Sequence, residues 1–398
     1  MPADSDAQED APDAWGELNS RYRHDDRAQF LLFVEQLVEA RELILSGRVT
    51  KLRIALVTLD NLAEMLLHRQ MKRAQAIGEE GWVYGVPRLG GSDLRRFETG
   101  FGARVSFARR EASDALAETG FSPLLDDGGE AIFRTAHAYR NRVYHADHHN
   151  PTVLPLITKA YFAAIGVAFE RFQPRGAMGS MDAVAKRLEA FGYEGSEDPR
   201  WGRMFAPAEA ARTLTENLSA GIEVELDEAR EELAADLGRR ADWAEEMIAQ
   251  LAREGLSRER LEASLSWWEF WEEMAGHDAE VVDLANEVAE LWNVVDPAGE
   301  AERSRQMSEK GKRRSDRVRE LYAEFRPKLD LGQIDQQRRL GRRLTTATSV
   351  GALFTRYHRL DDTIESFERF LDDTAIGWDR HMQEEVDSLR EERLMEEE

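Results

Sequence analysis

An all-α fold is predicted from three features of the sequence. Apolar residues recur at three- and four-residue spacing along most of its length, charges of both signs line the complementary faces, and runs with two-residue β-branched alternation are lacking. The expected architecture is an N-terminal helical bundle followed by a C-terminal bundle of long helices. At 398 residues the chain exceeds the usual single-domain size, so two cores are expected, and a 42% hydrophobic composition can fill them.

Residues 1–25 are acidic with little hydrophobic periodicity and read as a flexible tail. The first helix is expected from near Asp26, where Phe30, Leu31, Phe33, Val34, Leu37 and Val38 recur at helical spacing, to near Gly47. The second, about Thr50 to Ile77, carries Leu52, Leu56, Leu59, Leu62, Ala63, Leu66 and Leu67 on a stripe wide enough for a central position. Gly78 to Gly91 reads as a loop, and a third helix as Asp93 to about Thr119, open to interruption at Gly100 and Gly102. A fourth is expected to start after Asp127, with Glu130 three residues on as in a capping box, and to end near Pro151. An apolar fifth, Val153 to Phe172, completes a bundle over residues 26–173.

Residues 174–207 are rich in glycine and proline around one short helix and read as a linker. The C-terminal domain, 208–398, is expected to hold helices at Glu209–Glu254, Arg258–Met274, Ala279–Val295, Ala298–Phe325 and Leu331–Asp372, with a terminal segment ending in Glu398. Trp267, Trp268 and Trp271 crowd one helix, so one of them is expected to mark a partner surface.

Composition excludes several classes of chemistry. Without cysteine there are no disulfides, thiolate metal sites or cysteine nucleophiles. Met1 to Asp13 lacks the pattern of a signal peptide, and no stretch approaches the roughly 18 uninterrupted apolar residues of a membrane span, so a cytoplasmic location without a membrane partner is expected. A net charge of −24 opposes indiscriminate binding to nucleic acid; any RNA contact must be local. The segment Arg303 to Arg343 runs against this background with a net charge of +8. Arg313, Arg314 and Arg317 within it are candidates for holding RNA phosphates, and a basic face docked on acidic helices is the alternative.

The residues best suited to chemistry lie at the end of the fourth helix. Four of the nine histidines, His137, His145, His148 and His149, fall between positions 137 and 149 together with Arg140, Asn141, Arg142 and Tyr144. Metal-free RNA cleavage needs a group that titrates near neutrality and a fixed cation for the phosphate. His145 can supply the first and Arg140 the second, its planar fork matching phosphoryl oxygens. Asn141 lies four residues before His145 and shares its helical face. Five residues separate Arg140 from His145, which puts them roughly 140° apart on an ideal helix. They converge only where the helix bends or ends, where Arg140 reaches round, or where a second subunit supplies half of the site. Asp60 and Glu64 read as a solvated or salt-bridged pair, with partnership to Arg140 or His145 as the alternative. His145, His148 and His149 can also be read as zinc ligands, although solvated loop histidines are the favoured reading because no carboxylate-histidine helix motif accompanies them.

The string Arg140-Asn141-Arg142-Val143-Tyr144-His145 resembles the Arg-polar-three residues-His motif of the HEPN superfamily, over about residues 26–173. The resemblance implies a metal-independent endoribonuclease without a cofactor. It implies a homodimer whose motifs face across a cleft, products ending in a cyclic phosphate, and a role as a toxin or antiphage-defence effector restrained by an antitoxin or regulatory protein. On it, Arg140, Asn141 and His145 are the catalytic residues, and Arg142 and Tyr144 beside them are assigned to substrate binding. The sequence departs from the toxins silenced by nucleotidyltransferase antitoxins, which carry tyrosine two residues after the histidine, where this chain has Asp147. The competing expectation is a non-catalytic helical interaction or dimerisation protein that binds a partner protein or a nucleotide.

Overall fold

With no glycine or proline between Gly16 and Gly47, helix propagation meets no breaker, and the first helix, α1, covers Ala14–Leu45. It begins well inside the stretch expected to be a tail, and Gly47 (φ 65°) turns the chain after it. The computed structural model describes residues 14–79, 100–110, 123–145, 150–172, 179–180, 183–198, 202–275, 322 and 325–397. The expected loop at Gly78–Gly91 therefore falls mostly outside the described residues, as do the expected helix Ala279–Val295 and nearly all of Ala298–Phe325. The fold is all-α, with one small sheet. The chain divides into two compact units, Met1–Glu232 with Thr346–His358 and Leu233–Thr345 with Arg359–Glu398.

In the first unit α2 (Val49–Glu79), α3 (Phe101–Arg110), α4 (Asp127–His145) and α5 (Val153–Phe172) form the expected bundle with α1. Helix α5 is apolar on nearly every face, and Val153, Leu154, Ile157, Tyr161, Ile165 and Ala168 are fully buried. It is the one described helix long and apolar enough to cross a membrane, and that apolar surface is spent as core. Phe33 of α1 stacks on Phe169 of α5 with ring centroids 4.2 Å apart.

The segment expected to be a linker is part of this unit. It contains β1 (Gly179–Ser180), α6 (Ala183–Leu188), β2 (Ser196–Asp198) and β3 (Gly202–Phe205), the strands forming an antiparallel sheet in the order β1-β3-β2. Phe205 meets Phe30 edge-on at 5.4 Å, which ties the sheet to α1. The glycines that suggested a linker serve its turns; Gly192 and Gly195 have φ of 86° and 92°. Helix α7 (Pro207–Ser219) then packs on α5, and Gly221 (φ 82°) breaks what had been expected as one helix from Glu209 to Glu254 before α8 (Leu226–Arg253) begins.

The second unit takes most of α8, with α9 (Arg258–Ala275), α10 (Gln333–Gly341) and most of α11 (Val350–Glu397). A 3-10 turn at Arg342–Thr346 divides the expected helix Leu331–Asp372, and α11 absorbs the terminal segment. Arg240 of α8 grips both Glu368 oxygens at 2.7 Å and also bonds buried Asp361, so α8 and α11 are cross-linked by charge.

Two contacts set the start of α4, the helix that carries the motif. Gly128 meets Gly351 of α11 so closely that a Cβ on Gly128 would lie 2.7 Å from the Gly351 Cα. The cap is Asp126, whose Oδ1 accepts the Gly129 N–H at 2.8 Å, and not the capping box expected from Asp127 and Glu130. Glu130 instead takes Arg109 and Arg134, each at 2.9 Å. The Gly129 bond, followed by Arg171, holds the Asp126 carboxyl below its ordinary value of 3.8. Asp126→Ala should therefore cost about 1 kcal/mol in urea denaturation at neutral pH. A depressed folded value means that this stabilisation is present above the unfolded pKa and lost as pH falls through the folded one. The gap between the two proteins should thus close below about pH 4; a constant gap down to pH 2.5 would remove the cap from the account.

Candidate functional site

Asp60 sits on the apolar stripe of α2, between Leu56 and Ala63, and is fully buried. An isolated carboxylate there would cost several kcal/mol, so the packing around it must supply donors. Three arrive. Arg140 Nη2 lies 2.9 Å from Oδ2, His137 Nδ1 3.0 Å from Oδ1, and the Tyr161 hydroxyl donates to Oδ1 at 3.1 Å. His137 and Arg140 stand three residues apart on α4 and so share the face turned to α2, while Tyr161 comes from the central helix α5. Burial, and then the charge of Asp60, push the Tyr161 phenol well above its usual 10, so it remains a neutral donor. Phe101 of α3 covers the His137 ring at 3.8 Å and 5°.

The motif residues are distributed from this anchor. Arg140 Nη1 donates to the Asn141 side-chain oxygen at 2.7 Å, so the first two catalytic candidates are joined to each other and to Asp60. Among the described residues the buried Nε–H groups of Arg140 and Arg104 have no hydrogen-bond acceptor, and Arg104 lies 3.6 Å from Glu64. Arg142 lies over the Tyr139 ring at 5.3 Å, and Tyr144 is 69% exposed. Arg53 of α2 donates to the Val143 carbonyl at 3.1 Å, a cation on the C-terminal turn of α4. The Tyr139 hydroxyl bonds both the N–H (2.8 Å) and the C=O (3.1 Å) of Asn150, fixing the chain where it enters α5.

The helix is continuous to His145. The His145 side chain lies outside the described residues, as do Asp147, His148 and His149 and hence the zinc alternative built on them. Arg313, Arg314 and Arg317 lie outside them as well.

Of the readings of Asp60 the solvated one is corrected and the alternative, partnership with Arg140, is what the structure shows: Asp60 is the buried centre of the cluster, and Arg140 reaches to it with its side chain 23% exposed. Tyr161 was not foreseen; its signal is a lone hydroxyl in the most apolar helix of the chain. Of the three crowded tryptophans, Trp267 stacks on Tyr322 at 3.9 Å, Trp268 bonds Asp373, and the Trp271 side chain lies outside the described residues.

The ligand-type atoms of Asp60, Glu64 and His137 lie within 4.8 Å of one another, a spacing that a metal ion can bridge. The charges around them do not fit one. Each carboxylate already faces a guanidinium, and two unit charges 4 Å apart repel by about 4 kcal/mol at an effective dielectric of 20, a figure doubled for a dication. The cluster is an ion-pair network.

No family model matches the chain, and neither a curated protein nor a solved structure matches it.

Removing Arg140 leaves Asp60 buried with only His137 and Tyr161 beside it. Arg140→Ala should therefore destabilise the protein by about 3 kcal/mol, the lower end for a broken buried pair because the arginine is partly exposed. The paired change Asp60→Leu with Arg140→Leu should recover most of that loss, because no unpaired charge remains. Urea denaturation reads both, and an unchanged midpoint for Arg140→Ala would contradict the ion pair.

Proposed function

We propose that the chain is a metal-independent endoribonuclease whose composite site is assembled from the α4 helices of two copies. Arg140 holds the phosphate and His145 moves the proton. The observation that carries this reading is the anchoring of Arg140. A buried carboxylate and a neighbouring amide hold its guanidinium in one place, with the side chain partly exposed. A cation fixed before the reaction stabilises developing phosphate charge without reorganisation.

The course of the helix supports a dimer. Because α4 runs unbroken to His145, positions 140 and 145 remain roughly 140° apart on it, and Arg140 is committed to the α2 side. A second copy related by a two-fold axis is then the means of facing one chain's Arg140 with the other's His145. In the reaction the ribose 2′-oxygen attacks phosphorus as its proton leaves for a base. The 5′-oxygen departs with a proton from an acid, and a cyclic phosphate results. The resemblance of the motif to HEPN ribonucleases supports a role in toxin–antitoxin or antiphage defence, under restraint by a protein partner.

A second reading is a non-catalytic helical scaffold. It is favoured by the same ion pair seen as structure alone, since Asp60 already neutralises Arg140.

Cleavage of total RNA by the full chain in EDTA separates the two. The ribonuclease reading expects cleavage with chelator present, lowered ~10²- to 10⁴-fold by His145→Ala with the thermal midpoint unchanged. Undiminished cleavage by His145→Ala would move the chemistry elsewhere, and no cleavage by the wild type would leave the scaffold. Light scattering of the full chain should give a dimer at tens of micromolar, about the range where modest interfaces persist; a strict monomer would remove the composite site.

A further inference from the structure

We infer that the first unit carries a binding site for a small amphiphilic amine, in an apolar cleft walled by the start of α4, the later turns of α5, the end of α7 with the turn after it, and the start of α11. The cleft has a volume of about 340 Å³, at the lower end of the range that small-molecule sites occupy. At about 30 Å³ for each water displaced, it has room for a ligand of roughly ten non-hydrogen atoms. The inference stands apart from the chemistry proposed for the last turn of α4.

Helix α5 supplies the first observation. A helix that is apolar on every side belongs in a core, where each side is covered. Most of α5 obeys this, but Ala163 is exposed, Ala164 is half-buried and Val167 is 42% exposed, and all three line the cleft. The uncovered side of the most apolar described helix therefore borders a concavity, whose other walls include Ile132 of α4, Ile222 and Val350. An apolar ligand body is taken up there with a gain of about fourfold in affinity for each CH2 group buried.

Charge selects the head group. Three charged side chains line the cleft, Asp126, Arg171 and Glu223, so two carboxylates and one guanidinium leave a net charge of −1. Arg171 Nη2 is bound to Asp126 Oδ2 at 3.0 Å, and those two charges answer each other. Glu223 forms no ion pair among the described residues; its Oε1 accepts the Gly221 N–H at 3.3 Å, which leaves the carboxylate charge uncompensated. Ser219, at the end of α7, adds a hydroxyl to the lining. The chain's overall charge of −24 favours cations at its surface in addition. A molecule with an apolar body and one ammonium group matches both the walls and the charge. A fatty acid matches only the first, and a polyamine only the second.

The walls are in place before a ligand arrives. Asp126 accepts the Gly129 N–H at 2.8 Å as well as Arg171, which ties α4 to α5, and Gly221 (φ 82°) turns the chain that brings Ile222 and Glu223 to the cleft.

Isothermal titration of the full chain with n-octylamine, below the concentration at which it forms micelles, tests the site. Sodium octanoate reverses the head-group charge, 1-octanol removes it, and n-butylamine keeps it on a shorter body. Octylamine should bind once per chain, butylamine ~10-fold or more weakly, and octanoate more weakly than octanol. Glu223→Gln, at an exposed position, should weaken octylamine by up to ~5-fold, the worth of one exposed ion pair, and leave octanol unchanged. Ala164→Phe places a ring in the cleft and should abolish saturable binding with an unchanged or raised thermal midpoint. Val167→Ser, at an already exposed position, tests the same wall without filling it and should weaken octylamine severalfold. Octanoate or octanol binding as tightly as octylamine would overturn the amine as the ligand. Octylamine binding that survives Ala164→Phe and Val167→Ser, or that butylamine matches, would place the contact elsewhere on the acidic surface, and no saturable binding would overturn the site.

Discussion

Burying the carboxylate of Asp60 dictates how the first unit is arranged around α2. A charge removed from water must be met by donors in fixed places, and here each donor comes from a helix that the apolar stripe alone would leave free to rotate or slide. Arg140 and His137 set the rotation of α4 about its axis, and Tyr161 sets the height of α5. Hydrophobic burial is tolerant of small shifts, whereas three bonds of about 3 Å to one carboxylate are not. The last turn of α4, where the motif lies, inherits its position from that carboxylate.

The second unit uses the same device differently. Arg240 spans Asp361 and Glu368, so one guanidinium satisfies a buried and a half-buried acid on a single helix. In the first unit one acid gathers donors from two helices; in the second one cation gathers acceptors. An acidic chain of net charge −24 can build the second kind cheaply, since acids are in excess and each buried arginine finds several. The first kind makes scarce cations indispensable, which is why Arg140 cannot be judged by its possible chemistry alone.

The helices were legible because their periodicity is strong: α5 runs from Val153 to Phe172 as read from its apolar run, and α2 differs from expectation by a residue or two at each end. Breaks were less legible. Gly221 and the turn at Arg342–Thr346 interrupt patterns whose apolar spacing continues across them, so a periodicity argument passes over both. The small sheet was read as linker because strands of two to four residues carry too little alternation to register. At the candidate site the arginine was visible as a motif residue, and Asp60 was visible only as the less favoured of two readings, a partner for Arg140 or His145. Asp60 lies on an apolar stripe, and that contradiction was itself the available signal. Which of the many arginines would answer it depends on helix rotation, which no local pattern encodes.

The meeting of Gly128 with Gly351 has a consequence for how this sequence can change over time. Each residue is the smallest possible, so a methyl group added to either one cannot be accommodated by trimming the other. Most packed pairs can drift together, one side growing as its neighbour shrinks; this pair has no such path. The starts of α4 and α11 therefore change together or not at all at Gly128, whereas a Cβ on Gly351 would lie 3.2 Å from Gly128 and need that backbone to give by a few tenths of an ångström.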